Sequence, residues 1–446
     1  MMLQPCFPNT INLLFITTLF FVNGLIQAQE SEFKNARDIT LEEALQLAIQ
    51  NNRELKRANT NLAIANENVS QAKIAKAPKI GLSSYYNYVG NPKIYSGFYE
   101  NGQSIDYIDH QFSGSIFTTM PLYYGGVISN QVDQQKLISE IQGLSVKMTE
   151  SEIKLAVIEQ FFTLEKLYRQ IEVTRQNIAN TSLRIKQLQS RVANGQNVKS
   201  DLLRTELQQS NFEVSVFRSK NNIELVSNYL DILTGIPTDT VLRPEATDFT
   251  VPEEDFNFQT VQEEAYQNRL EIKQSELNVK LSEEDLSISR SRYSPDISAN
   301  VVFNSQYPLR WPDYINTLNS WAAGISLNWD ISSIYDANHL VESNKLKIEK
   351  STVELEATKD QINKEVKNAF VRFEESKRNI EIYKKDVELS LSNYKIVKSK
   401  YDNEFALIMD MVDAEIQLNE SKISLINAGL DTIIQYFSLQ YAMGKL

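Results

Sequence analysis

The chain of 446 residues is 42% hydrophobic and 23% charged, an average shared with ordinary soluble proteins, and its length allows two or three domains. A formal net charge of −12 argues against a nucleic-acid partner and suits cationic solutes better. The one cysteine, Cys6, precedes an apolar N-terminal run, so a chain that has lost this run keeps no disulfide, no thiolate nucleophile and no cysteine metal site.

Residues 1–28 carry no charged side chain, and Leu13 to Val22 is an apolar core followed by Gly24 and by Ile26-Gln27-Ala28 before Gln29. That order predicts a cleaved export signal. A retained membrane helix is the alternative, for which the run is short. Cys6 lies on the wrong side of the core for lipid attachment, so no acylated N-terminus is expected.

At Ile39-Thr40-Leu41-Glu42-Glu43-Ala44-Leu45 a helix opens, with Thr40 placed as N-cap and Glu43 three residues on to complete a capping box. Apolar or small residues carry it as one helix to about Ala77, where Pro78 stops it. Strands are expected at about 79–89 and 110–122. From Leu122 to Ile236 there is no proline, and Leu164, Ile171, Ile178, Ile185 and Val192 fall seven apart. This is coiled-coil spacing, and it predicts a helical hairpin over 127–235 that turns at Asn194-Gly195-Gln196-Asn197. Its first arm would be roughly 100 Å long at 1.5 Å per residue.

The stretch 236–260, with Pro237, Pro244, Pro252 and Glu253-Glu254-Asp255, reads as a linker or as a belt around the middle of the helices. The first half then repeats. At an offset of 217, Ala48, Asn51, Glu54, Lys56, Glu67 and Ile80 match Ala265, Asn268, Glu271, Lys273, Glu284 and Ile297. At an offset of 209, Asp201, Glu206, Gln208 and Gly235 match Asp410, Glu415, Gln417 and Gly444, and the heptad returns at Phe373, Ile380, Val387, Tyr394 and Tyr401. Residues 29–235 and 261–446 are thus two copies of one plan: helix, strand pair, long helical hairpin. The second copy places strands at about 296–305 and 320–329 and a hairpin over 335–444.

The four strands alternate apolar with small or polar residues. Trp321, Ala323, Ile325, Leu327 and Trp329 form an apolar face with tryptophan at both ends; Ala322, Gly324, Ser326 and Asn328 form the other. A soluble sheet alternates in the same way, but four such strands behind an export signal favour a membrane barrel with Trp321 and Trp329 at its girdles. Four strands cannot close a barrel, and lipid tolerates no open edge. Several copies must therefore share one barrel, and a conducting bore favours three or more.

The opening signature with Asn51-Asn52, the two-fold repeat, the strand pairs and the paired tips together resemble the TolC-like outer-membrane efflux protein family over Ile39 to Leu446. The resemblance implies a fold that is mainly α with membrane β. In it a homotrimer places a twelve-stranded barrel in the outer membrane of a Gram-negative bacterium, on a long α-helical tunnel in the periplasm. It implies a passive conduit, partnered by a periplasmic adaptor and an inner-membrane transporter, for efflux or type I secretion.

The resemblance also puts the closed entrance at the helical tips, where Asp410 and Asp413 match two entrance aspartates and Tyr401 and Asp201 match a closing network. Three residues apart, Asp410 and Asp413 share a helical face, and three copies would ring the bore with carboxylates that favour cations. Capping and dipole compensation for a helix starting there is an equal reading of those aspartates. The basic residue expected in the second tip is Ala406, and an expected glycine is Glu404, so the family's lock cannot form in its usual way. Asn194, Gly195 and Gln196 in the first tip and Asn403 and Glu404 in the second are candidates for adaptor docking, or plain helix–helix turns.

No phosphate loop, nucleophile elbow or dinucleotide fingerprint occurs, and the two histidines, His110 and His339, share no visible partners. No enzyme, metal or cofactor is expected. A structural coiled-coil spacer or adhesion protein of the cell envelope remains the alternative to a conduit, and the Trp321 to Trp329 strand separates the two.

Overall fold

The computed structural model describes residues 36–90, 92–105, 108–245, 251, 256–310 and 315–446. The export signal expected over 1–28, Cys6, the loop residues 106–107 and 311–314 and most of the linker after Glu245 lie outside them. The described chain is mainly helical, with one four-stranded sheet. It forms two compact units, and each draws on both repeats: residues 1–53, 150–262 and 366–446 in the first, 54–149 and 263–365 in the second.

In chain order the elements are β1 (Ala36–Ile39), α1 (Leu41–Asn51), α2 (Arg53–Ile74), β2 (Lys79–Tyr88), β3 (Lys93–Ile94), β4 (Gln103–Ser104), β5 (His110–Tyr124), α3 (Val127–Ala193) and α4 (Lys199–Thr234). Then follow β6 (Val241–Pro244), α5 (Phe258–Asn268), α6 (Leu270–Arg290), β7 (Asp296–Arg310), β8 (Ile315–Asn328), α7 (Ser333–Asp402) and α8 (Ile408–Ala442).

Thr40 caps α1, its Oγ1 accepting from the Glu43 amide at 3.1 Å. The single helix expected up to Ala77 is broken at Asn52, which turns extended while its amide still donates to the Ala48 carbonyl. Its side chain leaves the helix to donate to the Leu233 carbonyl at 3.1 Å. Arg269, 217 residues on, is likewise extended and donates to the carbonyl of Ala265. The break therefore belongs to the repeat, with a different residue at each copy: an amide clamp at Asn52, a guanidinium bound to Glu271 and Glu365 at Arg269.

In the second unit the sheet runs β2-β5-β7-β8, every neighbour antiparallel, with β2 and β8 as its edges. The strands β5, β7 and β8 have 15, 15 and 14 residues, so pairing continues past the strand ends expected at about 305 and 320. Trp321 consequently sits inside β8, paired with Phe303, and Trp329 lies one residue beyond its end. Bulges fall beside Pro121 and Pro308, which have no N–H for the ladder.

Residues directly paired across antiparallel strands share a face. One row runs Leu82, Ile116, Phe303, Trp321; the next runs Ile80, Thr118, Val301, Ala323. The register thus assembles the apolar alternations of all four strands on one face, with Tyr86, Phe112 and Tyr307 as an aromatic row near one end. The opposite face carries Ser83, Ser115, Asn304 and Ser320, and there Asn300 donates to Ser326 at 2.7 Å.

The first unit buries its apolar side chains. Phe161 and Phe162 meet edge to face at 5.6 Å, and Phe373, Leu230 and Leu242 are enclosed with them. The parallel pair β1 and β6 closes one side and is tied by Arg243 and Asp38, whose carboxyl the guanidinium holds below the usual carboxylate range. Polar pairs cross from α3 to α8 in antiparallel order: Lys166 with Asp431, Gln170 with Asn427, Asn177 with Asn419, Arg184 with Glu415. Three of them recur every seven residues on α3, one residue ahead of the Ile171, Ile178 and Ile185 seam. They fix which turn of one helix meets which turn of the other.

Candidate functional site

The two tips of the first unit have one backbone. After α3, the amides of Asn194, Gly195 and Gln196 donate to Ser190, Val192 and Arg191; after α7, those of Asn403, Glu404 and Phe405 donate to Ser399, Tyr401 and Lys400. The pivot is left-handed in both, Gly195 at φ 74° and Glu404 at φ 67°. Glu404 thus stands where a glycine fits without strain, 209 residues after the glycine that fills the same place. The second tip keeps the turn and loses its easiest residue.

The helices that leave the tips start on apolar residues, Val198 and Leu407, which have no side-chain acceptor for the free N–H groups of a first turn. Asp410 supplies one: its carboxylate accepts from the Leu407 amide at 3.1 Å. Asp201 occupies the same third position of α4, but its carboxylate has the side-chain Nδ2 of Asn197 at 3.5 Å rather than a backbone N–H. Capping therefore accounts for the aspartate at 410, while Asp201 places its charge in the first turn of α4 without capping a backbone N–H. Capping does not use Asp413, which lies exposed one turn further on.

Tyr401 packs with Leu202 and Ile416 against Leu188, Ile408 and Val412, so one apolar plug joins both tips. Burial pushes its hydroxyl above the ordinary tyrosine range; Arg191 and Arg184 act against that, and the Asp201 and Asp402 charges add to it. The structure therefore brings Tyr401 and Asp201 into one neighbourhood, with Asp410 and Asp413 on the helix that carries Ile408 and Val412. Asn194, Gly195, Gln196, Asn403 and Glu404 form the two turns, beside the strongly exposed Phe405, Leu407 and Val198.

Behind the plug lies a group the sequence reading missed. Arg184 and Glu415 form an ion pair whose side chains are 8% and 6% exposed. Tyr394 faces it, raised by burial and by the Glu415 charge and lowered by Arg184. The signal was present in the heptad that places Gln170, Asn177 and Arg184 one residue ahead of the apolar seam. A buried pair of this kind is costly to break from one side, because the remaining charge is left without compensation.

Among the described residues no cluster of His, Asp or Glu is placed to hold a metal ion, and no helix is long and apolar enough to cross a membrane. His110 on β5 pairs through Nδ1 with the Tyr86 hydroxyl on β2 at 2.5 Å, and the Asp109 carboxylate lies 3.8 Å from its Nε2. The first unit therefore offers a small apolar cluster between its two tips with exposed carboxylates on α8, and the second a sheet with one apolar face.

The sequence model described as outer membrane efflux protein matches residues 44–235 and 261–445, both repeats. Nodulation protein T of Rhizobium leguminosarum bv. trifolii is 19% identical over 411 residues, covering 92% of this chain and 86% of that protein. Among solved structures, CusC aligns with a TM-score of 0.77 at 13% identity over 91% of this chain and 92% of its own. The outer membrane protein VceC of Vibrio cholerae aligns with a TM-score of 0.74 at 15% identity, covering 91% and 96%. At these identities the structural likeness shows the fold.

Proposed function

The chain belongs to the outer membrane efflux protein family, and from that membership we propose that three copies close their sheets into one twelve-stranded barrel at the mouth of a periplasmic tunnel. The family is one of outer-membrane channels, not of enzymes. The observation that carries the proposal is the sheet: four strands with one continuous apolar face and two edges that run in opposite directions. Edge β8 of one copy set beside edge β2 of the next is again antiparallel, so a ring of copies continues the pattern with no mismatched seam. Lipid requires such closure.

The helices support the same assembly. On α4, Leu203, Leu207, Val214, Phe217, Leu225, Tyr229 and Ile232 are exposed along one face. On α7, Ile382, Leu389 and Ile396 are exposed at seven-residue spacing. Each is a coiled-coil seam, and a second copy covers both.

The tips form the entrance. Asp410 and Asp413 from three copies give a carboxylate ring that favours cations, Tyr401 and Asp201 help close it, and the exposed turns at Asn194 to Gln196 and Asn403 to Glu404 dock a periplasmic adaptor. An inner-membrane transporter then feeds the tunnel, and conduction through it is passive. Trp321 and Trp329 belong to the barrel's lipid boundary.

Conductance in planar bilayers tests the proposal. The purified protein is expected to give discrete cation-preferring channels, and Asp410→Asn with Asp413→Asn to weaken that preference at unchanged open-state stability. A protein that forms no channel, or a selectivity indifferent to both substitutions, contradicts the entrance assignment.

A further inference from the structure

The end of α4 in the first unit holds a carboxylate that the conduit does not account for. Asp231 has no exposed surface, and neither of its carboxyl oxygens has a hydrogen-bond partner among the described residues. It sits in the last turn of α4, where the unpaired carbonyls of a helix end disfavour negative charge. Its own carbonyl accepts from the Gly235 amide at 2.7 Å.

This turn is also where α1 is clamped. Asn51 donates to the Thr234 carbonyl and Asn52 to the Leu233 carbonyl, each at 3.1 Å. Gly235, at φ 76°, lies so close to Asn51 that a Cβ there would meet its Cβ at 2.6 Å. The joint is therefore tight, made of backbone carbonyls and two asparagine amides, with Asp231 one turn below them.

Two charges act on Asp231. Asp239, in the exposed turn after α4, repels a second negative charge; Arg37 on β1 attracts one, but its guanidinium is already bound to Glu43 of α1 at 2.6 Å. The two α1 side chains that bond to the joint, Asn51 and Asn52, carry no charge. Burial comes first among the causes, Asp239 second, and together they push the carboxyl up to about 7.

We propose that Asp231 is a proton-binding site that governs the clamp of α1 on the end of α4: protonated, it is tolerated in the closed joint, and ionised, it drives the joint open. The sign follows from linkage. A carboxyl raised in the folded protein binds its proton there while the unfolded chain has already released it, so the joint weakens as pH rises from the ordinary carboxylate range to about 7.

Hydrogen exchange on the full-length protein tests this, read at the amides of residues 49–53 and 231–236 at a series of pH values from 5.5 to 8.5 after the intrinsic chemical rate is divided out. The wild-type joint is expected to open roughly thirtyfold more at pH 8.5 than at pH 5.5. Asp231→Asn should remove that ratio and leave the joint closed at both values. Asp239→Asn, an exposed change that leaves the joint intact, should move the midpoint to lower pH. An equal ratio in wild type and Asp231→Asn, or a midpoint indifferent to Asp239→Asn, overturns the proposal.

Discussion

The sheet of the second unit and the helical core of the first spend their large side chains in opposite ways. Phe161, Phe162 and Phe373 are fully enclosed, whereas Trp321 and Ile325 are 74% and 73% exposed on a face that the strand register has made continuously apolar. A core of that kind is finished in water; a sheet of that kind is not. The difference teaches where each unit finishes its packing: the first encloses a core of its own and leaves only narrow seams on α4 and α7 exposed, whereas the sheet leaves its whole apolar face uncovered, the face that the proposed barrel would turn to lipid.

The comparison breaks if both regions respond alike to substitution. Phe161→Ala removes a buried ring and should cost about 3–5 kcal/mol in urea unfolding, in vesicles or out of them. Val301→Arg, in the middle of the apolar face, should cost about 2–4 kcal/mol when the protein is assembled in lipid and little in a soluble fragment. Asn300→Arg, one residue away on the polar face, should be tolerated and instead alter ion selectivity. If Val301→Arg and Asn300→Arg fold equally well in lipid vesicles, the apolar face does not meet lipid.

Smaller effects sharpen the picture of the tips. Glu404→Gly relieves a left-handed residue and should stabilise the tip by about 0.5–1 kcal/mol, with Gly195→Glu a loss of similar size, both read from local hydrogen exchange. Asp410→Ala should cost about 0.5 kcal/mol at the start of α8, seen as faster exchange of its first-turn amides. Asp413→Ala, which caps nothing, should leave those amides unchanged while weakening cation selectivity.

Much of this was legible because repetition and period 2 or period 7 patterns survive without contacts. The offset of 209 already set Gly195 opposite Glu404 and Asp201 opposite Asp410, and the alternation of Trp321 to Leu327 already marked a two-faced strand. What could not be read depends on distant partners. The break at Asn52 exists because its amide finds Leu233, and no local signal marks it; its counterpart Arg269 solves the same break with two glutamates. The heptad marks the position of Arg184, but its partner Glu415 lies on a helix far away in sequence, so the ion pair itself could not be read. The extension of β7 and β8 past the expected ends follows from pairing of Arg310 with Ile315, which propensity alone does not supply.

Hydrogen exchange along the two edge strands of the lipid-embedded particle tests the central claim most directly. If copies close one barrel, the outward-pointing amides of β2 and β8 exchange as slowly as those of the interior strands β5 and β7. Amides on β2 and β8 that exchange freely, while β5 and β7 stay protected, describe an open sheet and contradict the account.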